Sequence, residues 1–247
     1  MKIQYFSDVH LEYFSDINEV VSKIEKCADV CVIAGDIGYP WQPSYSQILE
    51  AVSKIFQHVV IIHGNHEYYQ TGKTIEEIKT KTREICSFLP NVHYLDNSYI
   101  DLKDDRGIVY RFIGTTLWSH ISKPQYTVND RIYIKEFTVE NNNETFRKNV
   151  EYLETTLENS KDTICIVVTH HMPSFSLVDE MYKQSPYNQC FASNCDKLIK
   201  DPVKAWIFGH THKRTFQYLN GILCTANPIG YPGENKIIDF NETIEIP

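Results

Sequence analysis

Short apolar runs recur along the chain, set between stretches whose apolar residues follow a helical spacing. Ile3 to Phe6, Ala28 to Ala34, Val59 to Ile62, Thr163 to Thr169 and Lys204 to Phe208 are such runs. Continuous runs of this length predict strands buried on both faces, as in a parallel sheet covered by helices. Ile17 to Cys27, Ser44 to Phe56, Thr74 to Leu89 and Phe146 to Leu157 predict helices. Ile17, Val20, Val21 and Ile24 share one face of the first, with Asp16 and Asn18 as caps, and Phe146, Val150, Leu153 and Leu157 share one face of the last. The middle changes character. Val92 to Leu95, Tyr99 to Leu102 and Ile108 to Ile113 read as short strands, with Asp104-Asp105-Arg106-Gly107 as a hairpin turn. The tail adds strands over Arg214 to Tyr218, Ile222 to Thr225 and Lys236 to Phe240, with Asn227 to Glu234 as a loop. Glu140 to Glu144, with three asparagines in a row, reads as a solvated turn before a helix. Strand-helix repeats in both halves around a hairpin-rich middle predict an α/β fold of two packed sheets with helices outside.

Composition adds limits rather than a function. The 247 residues are 42% hydrophobic and 23% charged, an ordinary globular balance, and no linker or repeat divides them, so residues 1–247 read as one domain. The net charge of −8 argues against broad binding to duplex nucleic acid, which needs a basic footprint. It leaves a metal site open, since carboxylate ligands add to acidity. Met1-Lys2-Ile3-Gln4 opens no signal-peptide core and no stretch approaches a membrane span, so a membrane partner is not expected. Seven cysteines without a C-x-x-C read as reduced thiols in a cytoplasmic protein.

The chemistry sits at the strand ends. Asp8 and His10 follow the first strand, Asp36 the second, Asn65 and His66 the third, His170 the strand over 163–169, and His210 and His212 the strand over 204–208. Open α/β sheets place their sites at carboxyl ends. Asp8 and His10 are two apart, as are His210 and His212, and on an extended segment each pair points one way. His170 and His171 are adjacent and cannot both face the site. Carboxylate with imidazole suits manganese, iron, cobalt or zinc better than calcium. The ligands are too many for one ion, and a mononuclear zinc site would leave half of the histidines unexplained. Two ions fit better, with Asp36 as their bridge. Asn65 is a weak neutral ligand, which leaves His66 for acid–base work.

Asp8-Val9-His10, Gly35-Asp36, Gly64-Asn65-His66-Glu67, Thr169-His170 and Gly209-His210-Thr211-His212 resemble the five signature blocks of the calcineurin-like metallophosphoesterases, in order and across nearly the whole chain. The resemblance implies a four-layer αββα sandwich of two mixed sheets with the metal site at its loop edge. It implies that Asp8, His10, Asp36 and His212 hold one metal and that Asp36, Asn65, His170 and His210 hold the other. His66 would stand beside the scissile phosphate. Two divalent transition-metal ions follow, manganese first, with iron, zinc, cobalt or nickel as alternatives.

The implied activity is hydrolysis of a small phosphate ester by a hydroxide held between the metals, with His66 protonating the leaving group. Phosphoprotein phosphatases of this superfamily carry Arg before Gly-Asn-His and Asp-Arg-Gly soon after the second block. Here His63 and Ile37-Gly38-Tyr39 stand in those places, which argues against that branch. The segments Gly114 to Trp118 and Asn227 to Glu234 resemble a small prokaryotic and phage-like branch, in which many members have Arg where this chain has Ile229. With no extra cations evident to hold a dianion, a diester is favoured over a monoester. Tyr39, Trp41, Tyr68, Trp118, His120 and Tyr231 are expected near the rim, where a ring can stack a base or an aryl group. Two alternatives remain: a nuclease of the same superfamily, which expects a basic face, and a non-catalytic metal-binding scaffold, which expects missing ligands.

Overall fold

The computed structural model describes residues 1–69, 72–122, 128–235 and 238–247. The first half lays down β1 (Lys2–Phe6), the short helix α1 (Asn18–Val21), β2 (Val30–Ala34), α2 (Pro43–Ile55), β3 (His58–Ile62), α3 (Ile75–Ser87) and β4 (Val92–Tyr94). β5 (Ser98–Lys103) and β6 (Val109–Thr115) form the hairpin, followed by α4 (Asn129–Tyr133), α5 (Val139–Glu158), β7 (Ile164–Thr169), β8 (Val203–Ile207), β9 (Thr215–Leu219), β10 (Ile222–Ala226) and β11 (Thr243–Glu245). One sheet has the order β11-β1-β2-β3-β4 and the other β5-β6-β7-β8-β10-β9. β1 to β4 are mutually parallel, with β11 antiparallel on β1. β6, β7, β8 and β10 are parallel, with β5 and β9 antiparallel at the two edges.

The strand sequences explain the layers. Successive side chains alternate between faces, so an apolar run fills two cores at once. Val32, Ala34, Val60 and Ile62 meet Phe112, Ile166, Val168 and Ile207 between the sheets. The alternate residues Cys31, Ile33, Val59 and Ile61 pack outward on Ile48, Leu49 and Val52 of α2. On the far side Cys165, Val167 and Trp206 pack on Leu153 and Leu157 of α5. The result is the expected four-layer αββα sandwich of two mixed sheets. α2 begins with Pro43 in its first turn, and α3 begins with a capping box between Thr74 and Glu77.

Three sequence expectations change. The helix over 17–27 shrinks to Asn18–Val21, although Val20 and Ile24 are buried as their spacing predicts. The Gln4 side chain bonds the Glu25 carbonyl and the Cys27 N–H (2.9 and 2.8 Å), so the backbone there is satisfied without helix. The asparagine run is not a turn but the first part of α5. Asn142 donates to the Ser119 carbonyl (2.8 Å), and Asn143 bonds both the N–H and the carbonyl of Ile121 (2.8 and 2.9 Å). These residues pin the segment after β6. Of the strand expected over 236–240, residues 236 and 237 lie outside the described residues and 238–240 are not strand. The chain pairs instead through β11, with Lys2 opposite Glu245. No helix among the described residues is long and apolar enough to cross a membrane.

Candidate metal centre

The carboxyl ends of β1, β2 and β3 meet those of β7 and β8 at one edge of the sandwich, and every site residue named from the sequence lies there. The loops are tied to each other through their backbones. Asp8 N–H donates to the Gly35 carbonyl, His10 N–H to the Asp36 carbonyl and Gly209 N–H to the His170 carbonyl, each at 3.0 Å. Two glycines permit this approach. A Cβ on Gly64 would overlap the Asp36 carboxylate and the His170 ring, and one on Gly209 would lie 2.8 Å from the Ala34 carbonyl and 2.9 Å from Asp8 Oδ2.

The pairs Asp8/His10 and His210/His212 do reach the site, but not by strand alternation. β1 ends at Phe6 and β8 at Ile207, and all four residues, with Asp36, adopt left-handed backbone angles (φ 48–64°). Asp and His tolerate this region better than most side chains. It turns the chain sharply where each strand stops.

Two buried groups result. Asp8, His10 and His212 bring ligand atoms within 4.8 Å of one another, as do Asp36, His170 and His210. His10 Nε2 lies 3.0 Å from His212 Nε2, and His212 Nε2 lies 3.4 Å from Asp8 Oδ1. Asp36 Oδ2 stands between the groups, 3.8 Å from His10 Nε2 and 3.3 Å from His170 Nε2. Its other oxygen accepts the His66 N–H (2.8 Å). Asn65 Oδ1 faces His170 Nε2 at 3.2 Å. Asn65 can turn only this way, because its amide donates to Asp130 Oδ1 (2.8 Å) and Tyr69 Oη (3.0 Å). His171 turns away to Ser119 (2.7 Å) and is not among the convergent atoms.

The hydrogen bonds behind the rings decide which nitrogen faces the centre. Nδ1 of His10 bonds Glu12 (3.1 Å), Nδ1 of His212 bonds Glu234 (2.6 Å), and Nδ1 of His170 bonds the Ala34 carbonyl (2.8 Å). Ionised carboxylates and carbonyls only accept, so each Nδ1 carries hydrogen and each Nε2 is turned inward, with a lone pair there whenever the ring is neutral. Lone pairs facing each other and carboxylate oxygens at 3–4 Å repel unless a proton or a cation lies between them. This donor set fits divalent cations, and a carboxylate or carbonyl behind each ligating imidazole is the usual arrangement in metal sites.

Titration follows the same logic. Burial alone would depress His170, but the Asp36 carboxylate pushes it up to about 10. Burial likewise opposes His212, and Asp8 and Glu234 raise it to about 9. Burial disfavours ionised Asp36, yet His170 and His66 hold it well below the ordinary carboxylate range. The cluster thus retains protons where cations would compete for the same lone pairs.

His66 belongs to neither group but forms a third convergent set with His10 and Glu12. Its Nδ1 bonds the same Glu12 oxygen that holds His10 (2.8 Å), and its Nε2 lies 3.3 Å from Tyr231 Oη at the mouth of a cavity of about 520 Å³. Burial lowers its basicity, but Asp36 and Glu12 outweigh that and raise it.

Sequence reasoning missed the supporting carboxylates. Glu67 accepts N–H bonds from Gly64, Asp36 and Ile37 (2.7, 3.1 and 2.7 Å), locking two ligand loops together. Glu12 and Glu67 lie one or two residues from a site histidine, a signal the sequence did contain. Asp130 sits on α4, a helix the apolar pattern does not announce. Of the six rings expected at the rim, only Tyr231 lines the cavity. Tyr68 and Trp118 are buried together in a small core, His120 packs on Phe146, and Trp41 lies beneath Lys73 (4.1 Å). Ile229 is buried in the core behind the first sheet and offers nothing to the site.

The family model for calcineurin-like phosphoesterases matches residues 1–214. The chain belongs to this family. A curated relative within reach is an uncharacterised protein of Acanthamoeba polyphaga mimivirus, 30% identical over 270 residues, covering 97% of this chain and 94% of the relative. Among solved structures, a phosphopantetheinyl hydrolase from Mycobacterium tuberculosis superposes with a TM-score of 0.77 at 14% identity, covering 98% of this chain and 95% of that one. A putative 5′-nucleotidase from Staphylococcus aureus superposes at 0.54 and 14% identity, covering 93% of this chain and 48% of that one. At such identities the superpositions bear on the fold, which is that of the calcineurin-like phosphoesterases.

Proposed function

We propose that this calcineurin-like phosphoesterase is a two-metal hydrolase of phosphate esters, with a phosphodiester as the preferred substrate. The observation that carries it is Asp36 Oδ2, placed between the His10 and His170 nitrogens and so between two ligand groups. Asp8, His10, His212 and Asp36 would hold one divalent cation, and Asp36, Asn65, His170 and His210 the other. Such a pair, when bound, supplies an activated water and neutralises charge on the phosphoryl oxygens.

The remaining work falls to the chain. Glu12 holds His66 by Nδ1, so Nε2 is the nitrogen turned toward the cavity. As the phosphorus–oxygen bond to the leaving group breaks, the proton on His66 Nε2 passes to that oxygen. Tyr231 keeps the ring in place from the other side. Among the described residues no lysine or arginine lines the cavity, which supports a substrate with one phosphate charge. The unpaired cysteines support a reducing, cytoplasmic setting.

The test is Asp36→Asn after chelation and manganese add-back, assayed on bis(p-nitrophenyl) phosphate and, as one further diester, a phosphopantetheinyl ester. The variant is expected to lose bound metal and to fall to background turnover, while the wild-type chain takes up about two ions. Wild-type metal content and turnover in the variant would end the reading.

A further inference from the structure

One wall of the cavity comes from the long crossover between β7 and β8. It carries four short turns of 3₁₀ helix (Phe175–Leu177, Glu180–Tyr182, Asn188–Cys190 and Asp196–Leu198) in place of a long helix. It is nonetheless pinned. Met172 N–H donates to the Phe191 carbonyl (3.0 Å), Ser193 N–H to the Met172 carbonyl (3.1 Å) and Cys195 N–H to the Pro173 carbonyl (2.8 Å). Lys213 pairs with Asp179, so that rim charge is neutralised.

This wall ends a stack of rings. The buried His171 ring lies 4.3 Å from His210 at 24°, and His210 lies 4.9 Å from Phe191 at 27°. Phe191 is 38% exposed and lines the cavity beside Met172, Val178 and Tyr182. An apolar, partly open ring beside these histidines, in a cavity lined by no lysine or arginine among the described residues, suits an uncharged aromatic group and not a second phosphate.

We propose that Phe191, Val178 and Tyr182 form a subsite for an aromatic ring on the non-leaving arm of a phosphodiester. This rests on the phosphodiesterase reading and specifies its substrate class. The ring would pack against the open part of Phe191, with the single phosphate charge of the ester reaching toward Asp36 and His210. The wall is held before the ligand arrives, so little loop ordering opposes binding.

Binding separates the subsite from turnover. Calorimetry on manganese-loaded protein would compare methyl phenylphosphonate, whose ring sits on the uncleavable phosphorus–carbon arm, with methyl methylphosphonate, two monoanions that differ by one ring. The wild-type chain is expected to bind the phenyl probe about tenfold more tightly, the scale of one stacked ring. Phe191→Leu and the exposed-rim variant Tyr182→Ala should each reduce that preference to about twofold or less. The inference is overturned if the wild type shows no preference, or if the preference survives both variants. Hydrolysis of phenyl p-nitrophenyl phosphate and its methyl counterpart is read separately. A ring preference without hydrolysis of either ester would retain the subsite and remove the phosphodiesterase reading.

Discussion

At the residue scale the site depends on side chains outside the two proposed ligand sets. Glu12 offers one oxygen to both His10 and His66 and leaves its other oxygen buried without a partner among the described residues. It therefore fixes the tautomer of a proposed ligand and of the proposed acid together. Glu12→Gln keeps size and shape but removes the obligate acceptor. Losses of about 10–100-fold are usual for such supporting groups. The variant should lose more turnover on an ester with an alkoxide leaving group, which needs a proton, than on a p-nitrophenyl ester, which does not. Equal losses on the two would confine Glu12 to holding His10. The left-handed Asp8, His10, Asp36, His210 and His212 make the same point in the backbone: unusual torsions cluster where function needs a sharp turn.

At the scale of elements, the parallel strands are held by apolar packing, while polar side chains set where loops and helices begin. The Asn142 and Asn143 bonds to the segment after β6 are one case. Another lies at the edge of the first sheet, where His58 of β3 and His93 of β4 face each other at 3.3 Å. Burial lowers both, and His58 lowers His93 further. Their folded-state values lie below the unfolded ones, so the unfolded chain binds more protons as acid is added. This contribution to stability is complete above the unfolded value near 6.5 and is lost as pH falls below it. Urea unfolding midpoints at pH 7.5 and 5.5 should therefore differ less for His58→Gln than for the wild type. An unchanged or larger difference would show that the pair does not titrate in this way.

At the scale of the whole molecule, the two sheets deliver candidate ligands that neither could supply alone. Asp8, His10, Asp36 and Asn65 come from the first sheet and His170, His210 and His212 from the second. Cations bound at their junction would link the sheets, and a ligand that binds only the folded state stabilises it by about 2.7 kcal/mol at a hundredfold excess over Kd. EDTA is expected to lower the thermal midpoint of the wild-type chain and manganese to restore it, with Asp36→Asn insensitive to both. Superimposable melting curves with and without chelator would count against a metal at this junction.

The sequence by itself determined the layers and the ligand types. Runs such as Val59 to Ile62 must fill a core on each face, and Asp, His and Asn at successive strand ends have a chemistry that needs no coordinates to name. It could also place those residues at one edge, because parallel strands put all their carboxyl ends together. What only the tertiary structure decided was orientation. The left-handed turns replace strand alternation, Asp130 fixes the rotation of Asn65 from a helix without a strong apolar pattern, and Glu12 joins two histidines 56 residues apart in sequence. Rim residues were beyond the sequence for the same reason. Trp41, Tyr68 and Trp118 are rings by composition, but whether a ring faces a cavity or a core depends on what packs behind it, and that is settled by contacts between segments far apart along the chain.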